Sequence, residues 1–289
     1  MKGIALKFTP WLVILSVQFG FSQSIFEPNV ICTDKEEYGI SFINEDWICF
    51  TRREEKKTLF FSKRINGKWG APTIAPFSGE NDDEYPKFNP SSNRLFFASN
   101  RPYEGKETGD VSNDIWYVEL KDGVWSEPVH LSGKFSTSGI DSGGMDANDE
   151  VFFHSDRSGK GLNAVDIYRL TISGSSDPVK LPINTTVVDG EPYLFNGGES
   201  MLFMSGGHNS AGASDIFLSV KKNGEWQLPV SVDTKGIVNT AQWEYTPSLN
   251  PDHTKLFFTR IHEGQTDIYF IEVSKLVEVS AMIKGNAEN

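Results

Sequence analysis

The chain has 289 residues, a net charge of −12 and 38% hydrophobic side chains. That length suffices for one large domain, and the acidity excludes nucleic acid and anionic membrane surfaces as partners. The two cysteines form no Cys-x-x-Cys pair and the five histidines (His130, His154, His208, His253, His262) show no ligand spacing, so there is no metal-site signature.

Residues 1–22 read as a secretory signal peptide. Lys2 and Lys7 precede a short apolar run, Pro10 to Phe21, and Gly20-Phe21-Ser22 places small residues at both cleavage positions, predicting a cut before Gln23. No cysteine sits at the cut, so a lipid anchor is not expected. Losing two lysines and no acid takes the net charge to −14. The mature protein is expected to be exported, periplasmic or secreted, without a transmembrane segment and as a monomer. Cys32 and Cys49 read either as two buried thiols, the choice burial tendency favours, or as a disulfide that an oxidising compartment permits.

Residues 26–33 have the character of an outer strand that arrives before the unit it should complete. The most complete unit is Asp83 to Ser132. Tyr85–Asn89 and Leu95–Ser99 flank a Pro90-Ser91-Ser92-Asn93 turn; Asp114–Leu120 alternates; Trp125–Leu131 follows a Lys121-Asp122-Gly123 turn. Short β-branched and aromatic runs separated by Gly, Pro, Asn and Asp predict an antiparallel meander. The pattern occurs five times. Second strands end on Phe50, Phe97, Phe153, Phe203 and Phe258, and third strands open as Asp114-Ile115-Trp116, Asp166-Ile167-Tyr168, Asp215-Ile216-Phe217 and Asp267-Ile268-Tyr269. Gly-x-Trp opens the fourth strand at Trp69, Trp125 and Trp226. Four-stranded units at this period predict propeller blades.

These stretches, Phe-x-Pro, Leu-Phe-Phe-x-Ser-x-Arg, Asp-Ile-Trp/Tyr and Gly-x-Trp, resemble the WD-like β-propeller repeats of the TolB type over nearly all of the chain after residue 25. The Pro-Asp-Gly turn is worn down and the fourth copy has Ser205-Gly206-Gly207 where a Ser-x-Arg stands elsewhere; the extra N-terminal domain of TolB is not expected. The resemblance implies a stand-alone exported propeller that docks a protein or small ligand. The last unit stops after Asp267–Val273, so residues 26–33 are expected to complete it and close a ring of five blades; six blades is the alternative. The domain spans 23–275, and the tail, 276–289, either adds a strand or frays.

Three features carry candidate chemistry. An acid stands at each first-strand entry (Glu37, Glu84, Asp141, Glu191, Glu244), so five carboxylates could ring one channel mouth and hold Ca²⁺ or a basic group, or simply bond local backbone. Arg101 and Arg157 are placed to pair with Asp114 and Asp166, or to reach a ligand. Long second-to-third-strand loops bring His208, and the next first strands bring Trp243 and Tyr245, to the same face. No Gly-x-Ser-x-Gly, His-Glu-x-x-His or phosphate loop occurs. The reading is a non-enzymatic binding propeller of the bacterial envelope, without a cofactor and with an envelope protein or glycan as partner; the alternative is a glycan-active five-bladed hydrolase.

Overall fold

The structure, a computed structural model, describes residues 23–106 and 112–283. The signal-peptide segment lies outside them. The chain folds into five antiparallel sheets arranged as the blades of a five-bladed β-propeller. Blade 1 comprises Glu36–Asn44, Trp47–Arg53 and Lys57–Ile65; blade 2, Asp83–Asn89, Arg94–Ser99 and Asp114–Lys121; blade 3, Asp141–Ala147, Glu150–Ser155 and Asp166–Thr171. Blade 4 comprises Asp189–Phe195, Ser200–Ser205 and Asp215–Lys222, and blade 5 Trp243–Leu249, Lys255–His262 and Gln265–Glu272. The outer strand is short everywhere. In blades 1, 2 and 4 it is split in two, as Val124–Trp125 and Val129–His130 in blade 2. Pro72, Pro128 and Pro229 fall in the gaps, where a residue without an N–H cannot continue the ladder.

The ring closes where expected, with a shift. Ser24–Ile25 pairs with the third strand of blade 5, Ser24 opposite Phe270 and Ile25 opposite Tyr269. Residues 26–33 lie further along: Phe26 N–H donates to Ile268 O, and the chain then turns so that Ile31 and Cys32 pack into the seam between blades 5 and 1. Glu27 and Asn29 take left-handed φ in this turn, which ends the strand.

The core is five separate layers, one between each pair of neighbouring blades. Phe50, Phe97, Phe153, Phe203 and Phe258 are each fully buried, and each belongs to a different layer. Cys49 packs between blades 1 and 2 and Cys32 at the seam, so the thiols are buried apart and not joined in a disulfide. Among its described residues the tail adds no strand. Leu276, Val279 and Ile283 flank and form the short helix Ser280–Ile283 and pack into the layer of blades 4 and 5. Among the described residues no helix is long and apolar enough to cross a membrane.

Candidate functional site

The register of the first strands separates the expected acids into two groups. Opposite the second-strand residue two past the shared phenylalanine stand Glu37, Asp83, Asp141, Asp189 and Glu244, paired with Arg52, Ser99, Ser155, Ser205 and Arg260. Glu84 and Glu191 are one and two places further on, so the equivalent ring is not the one expected from spacing. All five equivalent acids are buried.

Each of these acids is held by its own turn. Glu37 accepts from Thr33 N and Oγ1 at 3.0 and 2.7 Å, Asp141 from Thr137 N and Oγ1 at 2.6 Å each, and Glu244 from Thr240 Oγ1 at 2.6 Å. Asp189 accepts from Thr185 Oγ1 at 2.8 Å and Asp83 from Ser78 Oγ at 2.7 Å. Four blades carry an arginine as well: Arg52 on Glu37, Arg101 on Asp83, Arg157 on Asp141 and Arg260 on Glu244, at 2.7, 2.8, 2.9 and 2.6 Å. Burial pushes the carboxyl groups of Glu37, Asp141 and Asp189 above their ordinary range, and the hydroxyl and backbone donors pull them back. The recurrent hydroxyl four or five residues before the acid was present in the sequence and is the signal that identifies this anchor.

The arginine expectation is corrected in the same place. Arg101 and Arg157 reach first-strand acids because Ser99 and Ser155 accept from their Nε at 2.9 Å and turn each guanidinium inward. Asp114 and Asp166 are paired instead with Lys106 and Lys180. His208 is packed on Phe203 and Phe217 with Nε2 2.8 Å from Ile183 O, and Trp243 lies at the Ser214 bridge. Of the expected site residues, Glu84, Glu191 and Tyr245 therefore meet at the channel; Arg101, Arg157, His208 and Trp243 do not join them. Among the described residues no three His, Cys, Asp or Glu side chains converge as a metal-holding group.

Just past the anchored acids, every first strand bulges. The bulge residue is left-handed in all five blades: Gly39, Tyr85, Gly143, Glu191 and Thr246, with φ of 61°, 58°, 67°, 54° and 48°. Glycine suits that conformation, whereas a side chain there costs about 1–2 kcal/mol. The bulge N–H donates across to the preceding blade: Gly39 to Thr259 Oγ1, Tyr85 to Thr51 Oγ1 and Glu191 to His154 Nδ1, at 3.2, 3.1 and 3.1 Å. Thr51, His154 and Thr259 are equivalent, so His154 does a threonine's task with a larger ring. Gly143 and Gly190 make room for it; a Cβ on Gly143 would lie 2.7 Å from Nδ1.

The non-glycine bulge residues close the channel. Lys87 Nζ crosses from blade 2 to Glu191 Oε2 of blade 4 at 2.6 Å, with both side chains about 95% buried. Burial lowers the lysine and the Glu191 carboxylate raises it again; the first effect wins. Above this pair, Glu84 accepts from Tyr38 Oη at 3.0 Å, Lys57 Nζ at 2.5 Å and Asn113 Nδ2 at 2.6 Å. The Tyr38 ring lies 5.4 Å from Tyr85 and 6.3 Å from Tyr245.

Burial holds the His154 imidazole down to about 4. Its folded value lies below the unfolded 6.5, so the unfolded chain takes up the extra proton. Stability from this group is complete above about pH 6.5 and is expected to fall by about 3 kcal/mol as the pH drops to 4. His154→Thr keeps an acceptor and removes the titration. Denaturant melts between pH 4 and 7 are expected to show a flatter acid limb in the variant; an unchanged slope refutes the assignment.

The opposite mouth, formed by the first-to-second-strand turns, opens as a funnel of about 660 Å³. Met145, Tyr193, Leu249 and Pro251 line one part, and Asn89, Ser92, Arg94 and Asp146 another. Asp146 occupies a ring position filled in the other blades by Phe42, Phe88, Leu194 and Leu249. It accepts from Asn89 Nδ2, Ser92 Oγ and Arg94 at 2.7, 2.9 and 3.2 Å, and Arg94 also binds Glu119.

These features define a five-bladed β-propeller with a plugged channel. No family model and no curated protein matches the chain. Solved structures do. An α-L-arabinofuranosidase from Lactobacillus brevis aligns at 12% identity and a TM-score of 0.50 over 84% of this chain and 90% of its own. A protein from Agrobacterium tumefaciens designated a TolB aligns at 10% identity and 0.49 over 83% and 78%. A Trypanosoma rangeli sialidase aligns at 11% and 0.49, and the match spans only 59% of that enzyme. At these identities the likeness is one of fold.

Proposed function

We propose that the protein is a non-enzymatic binding propeller that holds its ligand at one face of the central channel, in the funnel between the first-to-second-strand turns. The observation that carries this reading is the state of the channel itself. Its carboxylates are neutralised from within, Glu191 by Lys87 and Glu84 by Lys57, with Tyr38 and Asn113 adding hydrogen bonds to Glu84, while the far end opens to about 660 Å³. That volume is in the range of small-molecule sites. A glycosidase needs one carboxyl to give a proton and another to act as base or nucleophile, and here both channel candidates already accept from side-chain donors, Glu191 from Lys87 and Glu84 from Tyr38, Lys57 and Asn113. A nucleophilic triad is not assembled on blade 2 either. Ser136 Oγ and Asp114 Oδ1 both face His130 Nε2, at 3.0 and 3.8 Å, so the carboxylate cannot orient the ring from Nδ1. Export to the envelope rests on the composition of residues 1–22.

The test is a thermal-shift screen with neutral sugars, amino acids and dipeptides, run beside chromogenic glycosides. A true ligand at a hundredfold excess over its Kd adds about 2.7 kcal/mol of stability, a shift of several degrees. It is expected to vanish in Ser91→Trp, which places an indole on the exposed rim of the funnel. Glycoside turnover that disappears in Glu191→Gln would overturn the proposal in favour of the hydrolase.

A further inference from the structure

Resting on that reading of the funnel, we infer that its ligand is a neutral saccharide. The funnel has two unlike walls. Tyr193 and Pro251 present apolar surface beside the buried Met145 and Leu249; Arg94, Asn89 and Asp146 present donors and acceptors side by side. The buried charges on the polar wall are paired, and the two further acids of the lining, Glu45 and Asp149, are exposed to solvent. Arg94 is shared between Asp146 and Glu119, at 3.2 and 3.1 Å, so a charged ligand group would find no buried counter-charge waiting. A ligand whose groups both donate and accept suits such a wall, because each hydroxyl can accept from a guanidinium or amide N–H and donate to the remaining lone pair of a carboxylate. The C–H face of a pyranose suits the other wall.

Asp146 is the residue that argues for selection by a ligand rather than by folding. Four blades fill its position with Phe or Leu. A buried ion pair at such a place is often no more stable than the hydrophobic side chains it replaces, and local rules tend to be broken where a site needs it. Arg94 keeps Glu119 if Asp146 is removed, so no lone buried charge is left behind.

The experiment is calorimetric titration of the whole protein, Asp146→Leu and Ser91→Trp with glucose, galactose, mannose and maltose, and with arginine and glutamate as charged comparators. Sugars are titrated only to millimolar levels, below the concentrations at which they stabilise any protein by exclusion. At least one sugar is expected to bind saturably. Asp146→Leu should weaken it by about ten- to a hundredfold, as loss of charge-assisted hydrogen bonds does, while melting no lower than the parent, and Ser91→Trp should abolish it. No saturable binding by any of the sugars, or equal affinity in Asp146→Leu, overturns the inference. If arginine or glutamate binds instead and Ser91→Trp blocks it, the saccharide is wrong and the funnel stands. Binding that survives Ser91→Trp sinks both.

Discussion

Phe97→Ala, Phe153→Ala, Phe203→Ala and Phe258→Ala are each expected to lower the unfolding free energy by about 3–5 kcal/mol, the range for truncating a fully buried phenylalanine. None of the four rings is accessible to solvent, and each fills a different inter-blade layer. The four losses should be alike because the surroundings repeat. They should also add in pairs, since sites with no shared partner usually do. Urea titrations read the effect. Losses below about 1 kcal/mol at most of these positions would mean that the layers are not where the stability resides.

The second large effect concerns the channel plug. Lys87→Met is expected to cost about 3–5 kcal/mol, because it strands a buried carboxylate on Glu191. Removing both charges should behave differently. In Lys87→Met/Glu191→Gly no charge is stranded, and glycine takes the left-handed bulge (φ 54°) without strain. The double variant is therefore expected to recover most of the loss. A double variant as unstable as Lys87→Met alone would show that packing of the lysine stem, not charge, is what the plug contributes.

Much of the fold was legible. The recurrent phenylalanines and the Asp-Ile-aromatic openings mark second and third strands directly, because strand pairing demands the same β-formers in every blade. The closing strand was legible as a need: blade 5 lacks an outer strand, and only the N-terminal stretch precedes the first unit. The channel was much less so. In blade 2 Asp82, Asp83 and Glu84 stand together, and in blade 4 Asp189 and Glu191 flank a glycine. Which acid is equivalent to Glu37 depends on a bulge two or three residues further along, and spacing does not reveal a bulge. Lys87 reads as a solvated strand residue until a partner 104 positions away is known. Asp146 was hidden differently: its four equivalents are apolar, but only the ladder register places it among them.

The histidine bond between blades 3 and 4 has a consequence for how the repeats can be exchanged. His154 fits only because its own blade has glycine at 143 and the next has glycine at 190. At the two boundaries where threonine accepts the same bond, Thr51 and Thr259, no such paired clearing is required. The boundary of blades 3 and 4 is thus a lock with its own key, and blade 3 is no longer interchangeable with the others. A chimera that moves blade 3 beside blade 1 would press an imidazole against Tyr38, the counterpart of Gly190. Moving blades 3 and 4 as one block would carry lock and key together.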